Sequence, residues 1–131
     1  MATATRELVS DYVEAIAGRF DDLVELLHPD ASFTGAVKEA YGREAYIAGF
    51  RRLLPILVRI DVRQIVVDGD QAVVLYDFVT DTEAGAVLSS ELLTFENGLI
   101  RSSVLLYDQR QWPLVLRELG RRTDQPAAVG A

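Results

Sequence analysis

Beyond Leu57 the apolar residues of this chain change period, and that switch limits what it can fold into more than any other feature. β-branched residues crowd Val58 to Val67, Ala72 to Thr82, Val87 to Phe95 and Leu99 to Tyr107, with Asp68-Gly-Asp, Glu83-Ala-Gly and Glu96-Asn-Gly between the runs. Runs of this kind, punctuated by turn residues, predict four long antiparallel strands. Upstream the spacing is helical. Leu8, Val9, Tyr12, Val13 and Ile16 mark a first helix from Glu7 to Ala17, and Phe20, Leu23, Val24 and Leu27 mark a second that Pro29 ends. Tyr46, Ile47, Phe50, Leu53 and Leu54 mark a third, from about Arg43 to Leu54, closed by Pro55. Ala31 to Thr34 reads as a short strand, and Leu114 to Leu119 as a terminal turn or helix.

Helices followed by a strand meander predict an α+β domain in which a curved sheet wraps over its helices. The 131 residues suffice for one domain, expected over 1–122, and Gln125-Pro-Ala-Ala-Val-Gly-Ala extends a flexible C-terminal tail expected over 123–131. The run from Ala72 to Thr82 is apolar on both faces, so its outer face needs a cover; a homodimer packed through the sheet supplies one.

A net charge of -7 excludes a polyanionic partner, because nucleic-acid binding draws on clustered Lys and Arg. No cysteine is present and His28 is the single histidine, which removes disulfides, thiolate nucleophiles and the usual transition-metal ligands; we expect no metal and no cofactor. No run approaches the roughly 20 apolar residues of a membrane span, and the N-terminus has no apolar signal core, so the expected compartment is the cytoplasm. Neither a nucleophile elbow around a serine nor a phosphate-cradling glycine loop occurs.

Three strings, Leu27-His-Pro-Asp-Ala-Ser-Phe, Ala40-Tyr-Gly-Arg-Glu-Ala and Phe95-Glu-Asn-Gly-Leu-Ile, together with the order of elements, resemble the nuclear transport factor 2-like superfamily. Its SnoaL-like members include polyketide cyclases, ketosteroid isomerases and limonene epoxide hydrolases. The resemblance implies a cone-shaped fold, three N-terminal helices packed on a curved antiparallel sheet. It also implies an internal pocket for a mostly apolar small molecule and cofactor-free acid-base chemistry of the isomerase or cyclase kind. The alternative is a non-catalytic ligand-binding or dimerisation module of the same fold.

The last hairpin offers two registers, with Asn97-Gly98 as a two-residue loop or Glu96-Asn97-Gly98 as a three-residue loop. The three-residue loop puts Glu91, Leu93 and Phe95 on one face with Ser103, Leu105 and Tyr107, and we adopt it. Carried through the preceding turn, the same parity sets Leu75 and Asp77 on that face, with Asp77 beside Glu91. Two acids in one apolar site would not both ionise freely, so Asp77 and Glu91 are the catalytic candidates, with a structural polar pair as the other reading. Ser103, Tyr107 and Ser89 are expected to contact the substrate, and Leu75, Leu93, Leu105 and Phe33 to exclude water.

Within the resemblance, Glu91 resembles the protonated acid of ketosteroid isomerases, whereas their base position is Gly35 and their helix phenol falls on Asp11. Tyr12 is one residue further, about 100° around a helix, and is expected outside that role. The positions of the epoxide hydrolase set read Leu105, Asp77, Val79, Phe33 and Gly35, so that hydrolysis is not expected. Trp112 and Tyr41 are candidates for the pocket rim.

Overall fold

The computed structural model of the chain describes residues 2–35 and 38–124. Helix α1 spans Ala2–Gly18 and buries the stripe Val9, Tyr12, Val13 and Ile16 that its spacing marked. The second helical stretch covers Phe20–Leu26, one residue short of the expected run, as a 3-10 turn over Phe20–Asp22 and a single α turn, α2, over Leu23–Leu26. Strand β1 then runs from Leu27 to Thr34, straight through Pro29. The pairing of β1 shifts register between Leu27 and Ser32, an irregularity where a residue without an N–H is tolerated. His28 therefore lies in a strand rather than capping a helix, its Nδ1 accepting the Asp30 N–H and its Nε2 3.3 Å from Glu96.

Strand β2, Glu39–Tyr41, pairs antiparallel with β1 and leads to helix α3, Arg43–Arg51. Gly42 makes the junction at φ 92°, a left-handed conformation that side chains resist, while its N–H bonds the Ala31 carbonyl. A 3-10 turn over Leu54–Ile56, with Pro55 inside it, turns the chain into the long strands. These are β3 (Leu57–Asp68), β4 (Gln71–Thr80), β5 (Ala86–Glu96) and β6 (Leu99–Tyr107), close to the sequence boundaries. Helix α4, Trp112–Asp124, is longer than the segment its pattern marked; it takes in the first two residues of the expected tail, and the remainder lies outside the described residues.

The six strands form one sheet in the order β2-β1-β6-β5-β4-β3, antiparallel throughout except that β1 lies parallel to β6. α1 packs over β3 and β4, and α3 over β1 and β2. Among the described residues no helix is long and apolar enough to cross a membrane.

Register settles which strand faces look inward. At the β5–β6 hairpin the loop is Asn97-Gly98, both at positive φ as a type I′ turn requires. A compensating irregularity leaves Arg101 unpaired, so Glu91, Leu93 and Phe95 still share the inner face with Ser103. The expected face was right and the expected loop was not. At the β4–β5 hairpin the outcome reverses. A three-residue Glu83-Ala-Gly loop would oppose Asp77 to Glu91. Instead Val79 pairs with Ala86 and the Thr80 N–H bonds the Gly85 carbonyl, which leaves a four-residue loop, 81–84, and Val74 opposes Glu91. Threonine hydroxyls hold that longer loop: Thr80 Oγ1 donates to the Gly85 carbonyl and Thr82 Oγ1 accepts the Ala84 N–H. Consequently Ala72, Val74, Tyr76 and Phe78 face the core. Leu75 and Asp77 face the opposite side of the sheet.

Candidate functional site

Glu91 is 1% exposed and sits at the centre of a hydroxyl cluster drawn from four elements. On β5 it opposes Val74 of β4 and Leu105 of β6, so Tyr76 and Ser103 are its diagonal neighbours on either flank. Tyr76 donates to Oε2 at 2.6 Å, and Ser103 donates to Oε1 at 2.7 Å. From above the sheet, Tyr12 of α1 donates to Oε1 at 2.7 Å. Tyr46, in the first turn of α3, meets the Tyr12 hydroxyl at 2.6 Å. Among the described residues no buried side-chain polar atom lacks a partner.

Counting hydrogens orders this chain. The one hydrogen of Tyr12 goes to Glu91, so the Tyr12–Tyr46 contact is donated by Tyr46, whose oxygen is left as an acceptor. A proton on Glu91 allows the reverse: Glu91 donates to Tyr12, Tyr12 to Tyr46, and the Tyr46 hydrogen is freed. Burial raises the Glu91 pKa despite the opposing hydrogen bonds from Tyr76, Ser103 and Tyr12. Burial and then the Glu91 charge push all three phenols upward, so they stay neutral donors.

Beside this cluster lies a cavity of about 140 Å³. Phe33, Phe50, Leu53, Leu105 and Leu116 supply much of its apolar wall, and Tyr107 and Trp112, with ring centroids 4.6 Å apart, close one side. Tyr46 belongs to both places, lining the cavity while its hydroxyl joins the cluster; its ring stacks on Phe50 and meets the edge of Phe33.

The residues singled out in the sequence divide accordingly. Phe33, Leu105 and Tyr107 line the cavity together with Trp112, whereas Tyr41 stands exposed beside Glu39. Ser103 is bonded to Glu91, Leu93 is enclosed in the core, and Ser89 donates to the Val87 carbonyl. Leu75 lies on the outer face with Asp77. Asp77 is therefore a correction: the even-numbered loop turns it away from Glu91, and Arg63 grips both its oxygens at 2.9 and 3.1 Å. The expectation for the first helix also shifts by one residue, since Asp11 is exposed and Tyr12 is the phenol that reaches Glu91. In the sequence Tyr46 marks only the apolar stripe of the third helix, and the parity that sets Asp77 inward sets Tyr76 outward. Their signal was the need of a buried acid for donors in a chain whose inner positions offer tyrosine and serine but no lysine.

The structure is thus a six-stranded sheet wrapped over helices, with an apolar cavity beside a buried acid. Residues 9–103 match the model of the SnoaL-like domain, and the chain belongs to that family. Among solved structures, a nuclear transport factor 2-like protein of unknown function from Cytophaga hutchinsonii superposes with a TM-score of 0.72 at 22% identity, covering 82% of this chain and 93% of that one. A provisionally assigned polyketide cyclase from Sinorhizobium meliloti gives 0.69 at 21%, over 76% and 93%. A de novo designed protein with a curved β-sheet gives 0.78 at 21%, over 92% and 98%. These likenesses establish the fold alone. A comparison with curated proteins finds no match.

Proposed function

We propose that this chain binds a small, mostly apolar molecule in the cavity between α3, α4 and β6, and presents to it the Tyr46 hydroxyl as an acid-base contact wired to Glu91. The observation that carries this is the double membership of Tyr46, which lines the cavity and ends the hydroxyl chain. With Glu91 ionised, Tyr46 offers an acceptor. With Glu91 protonated, the Tyr12 and Tyr46 O–H groups reorient without any heavy atom moving, and Tyr46 donates. Donation to a carbonyl oxygen is the half of an isomerase or cyclase step that one acid can supply. Asp77, held by Arg63 on the outer face, takes no part.

Ligand-observed NMR with toluene and cyclohexanone tests this. Both should bind, and the ketone should bind more tightly as pH falls and Glu91 takes up its proton. Tyr46→Phe should weaken the ketone about 3- to 10-fold, the worth of one hydrogen bond, and leave toluene unchanged. A wild-type protein that binds neither probe, or a ketone affinity indifferent to pH, would overturn the reading. A second reading, binding without turnover, draws on the fact that no carboxylate lines the cavity among the described residues.

We further propose that two copies meet through the outer sheet face. Val66, Val73, Leu92 and Val104 form one apolar row across four strands, and Leu75 and Leu106 extend it into the next. Leu106 is 63% exposed and Val66 55%. Arg63 pairs with Asp77 and Arg59 with Asp61 on this face, while Asp68 stands at its edge beside Gln71. Beside the apolar rows, most of the charge is therefore neutralised within one copy, which lessens the repulsion between two molecules that each carry -7.

A further inference from the structure

Two cations line the cavity, Lys38 before β2 and Arg52 after α3, and both are exposed, which sets them at its mouth. Acids outnumber bases 20 to 13 in this chain, yet none lines the cavity among the described residues. Seven arginines, from Arg19 to Arg122, hold carboxylate partners. Lys38 and Arg52 have no such partner among the described residues. Two uncommitted positive charges over an apolar chamber leave a place for the negative end of a ligand whose body goes inside.

Size narrows the class. A cavity of about 140 Å³ matches the roughly 150 Å³ known to hold benzene, so the enclosed part is one ring or a short branched chain. A guanidinium fork suits a planar carboxylate, and a nearby ammonium adds a point charge without demanding geometry.

We infer that the ligand is a monocyclic or short-chain carboxylic acid, its apolar body against Phe33, Phe50 and Leu105 and its carboxylate between Lys38 and Arg52. This rests on the proposed pocket function and gives that pocket a substrate class. The acid anchors one end at the mouth while Tyr46 meets the buried end, so the two polar contacts fix the direction of entry.

Benzoate and benzamide, close in shape and different in charge, separate this inference from the reading beneath it. Titration calorimetry or ligand-observed NMR at low salt should show benzoate bound roughly tenfold more tightly than benzamide, with the preference shrinking as salt is added. The double variant Lys38→Gln, Arg52→Gln should lose the preference and keep its benzamide affinity. The control Arg43→Gln, Arg117→Gln, which removes two cations away from the cavity, should keep both. Equal binding of the probes by the wild-type protein, or a preference that survives the double variant, overturns the inference and leaves the pocket standing. Binding of neither probe overturns both.

Discussion

Replacing Glu91 with alanine will destabilise the fold by about 3–5 kcal/mol, among the largest effects any single substitution here can have. The carboxylate accepts from Tyr12, Tyr76 and Ser103, all buried, and its removal leaves three hydroxyls without their acceptor beside a new void. Each unsatisfied hydroxyl costs about 1–3 kcal/mol, partly recovered where a serine or tyrosine finds another partner. Glu91→Gln keeps the volume and one carbonyl acceptor, and should cost about 1–2 kcal/mol. Urea unfolding checks both; a Glu91→Ala protein as stable as wild type would show that the cluster contributes little to the fold.

The same residue gives stability a pH dependence of unusual sign. Because burial raises its pKa, the native state binds the Glu91 proton more tightly than the unfolded chain does. From the unfolded carboxylate range near pH 4 up to the native value, the folded state therefore holds more protons, and stability falls as pH rises through that window. Above it the effect is flat. Asp108 and Glu118 act oppositely: arginine partners hold them down to about 2, so their contribution is lost as pH falls. Both are half-buried at the surface, where water still screens their pairs, and they weigh less than Glu91. The stability difference between wild type and Glu91→Gln should accordingly diminish as pH rises through the window, and a constant difference would contradict a raised pKa.

Leu92→Glu combined with Leu106→Glu should convert the proposed dimer to a monomer. The substitutions place new carboxylates in the apolar rows of the outer face, and a two-fold contact doubles each of them across the interface. Buried without partners, they should weaken association about a hundredfold or more, read by sedimentation velocity as a shift from twice the monomer mass to the monomer mass. Both residues face away from the cavity, so toluene binding should persist. Retention of the dimer would place the contact elsewhere.

Much of the architecture was legible because hydrophobic period is read over many residues at once. The boundaries of β3 to β6 follow directly from the β-branched runs, and the buried stripe of α1 from its spacing. The second helix stops at Leu26, one residue short of its periodic run, because β1 needs Leu27 for its pairing with Ile100, a contact distant in sequence. The site was less legible for a related reason. Which face a strand turns inward depends on the parity of each connecting loop, and one residue more or less exchanges the faces completely. Glu91 was placed on the inner face although the loop that put it there was wrong, since the unpaired Arg101 restored the count. Asp77 had no such compensation. Tyr12 and Tyr46 are legible as members of apolar helix stripes, whereas the parity that misplaces Asp77 also turns Tyr76 outward, and the three hydroxyls converge only through packing of α1 and α3 on the sheet.

The segment 81–84 joins β4 to β5 at the protein surface, and Asp81 and Glu83 within it are exposed. Apart from Asp81, which pairs with Arg122, the buried Ala84 and the threonine contacts, its composition is free to drift. Its length is not: adding or deleting one residue must either be absorbed as a kink or bring Asp77 inside and send Tyr76 out, stripping Glu91 of a donor. Homologous chains that keep this acid and its tyrosines should therefore differ here by even numbers of residues, so that the spacing between the end of β4 and the start of β5 becomes a marker of which relatives share the same interior.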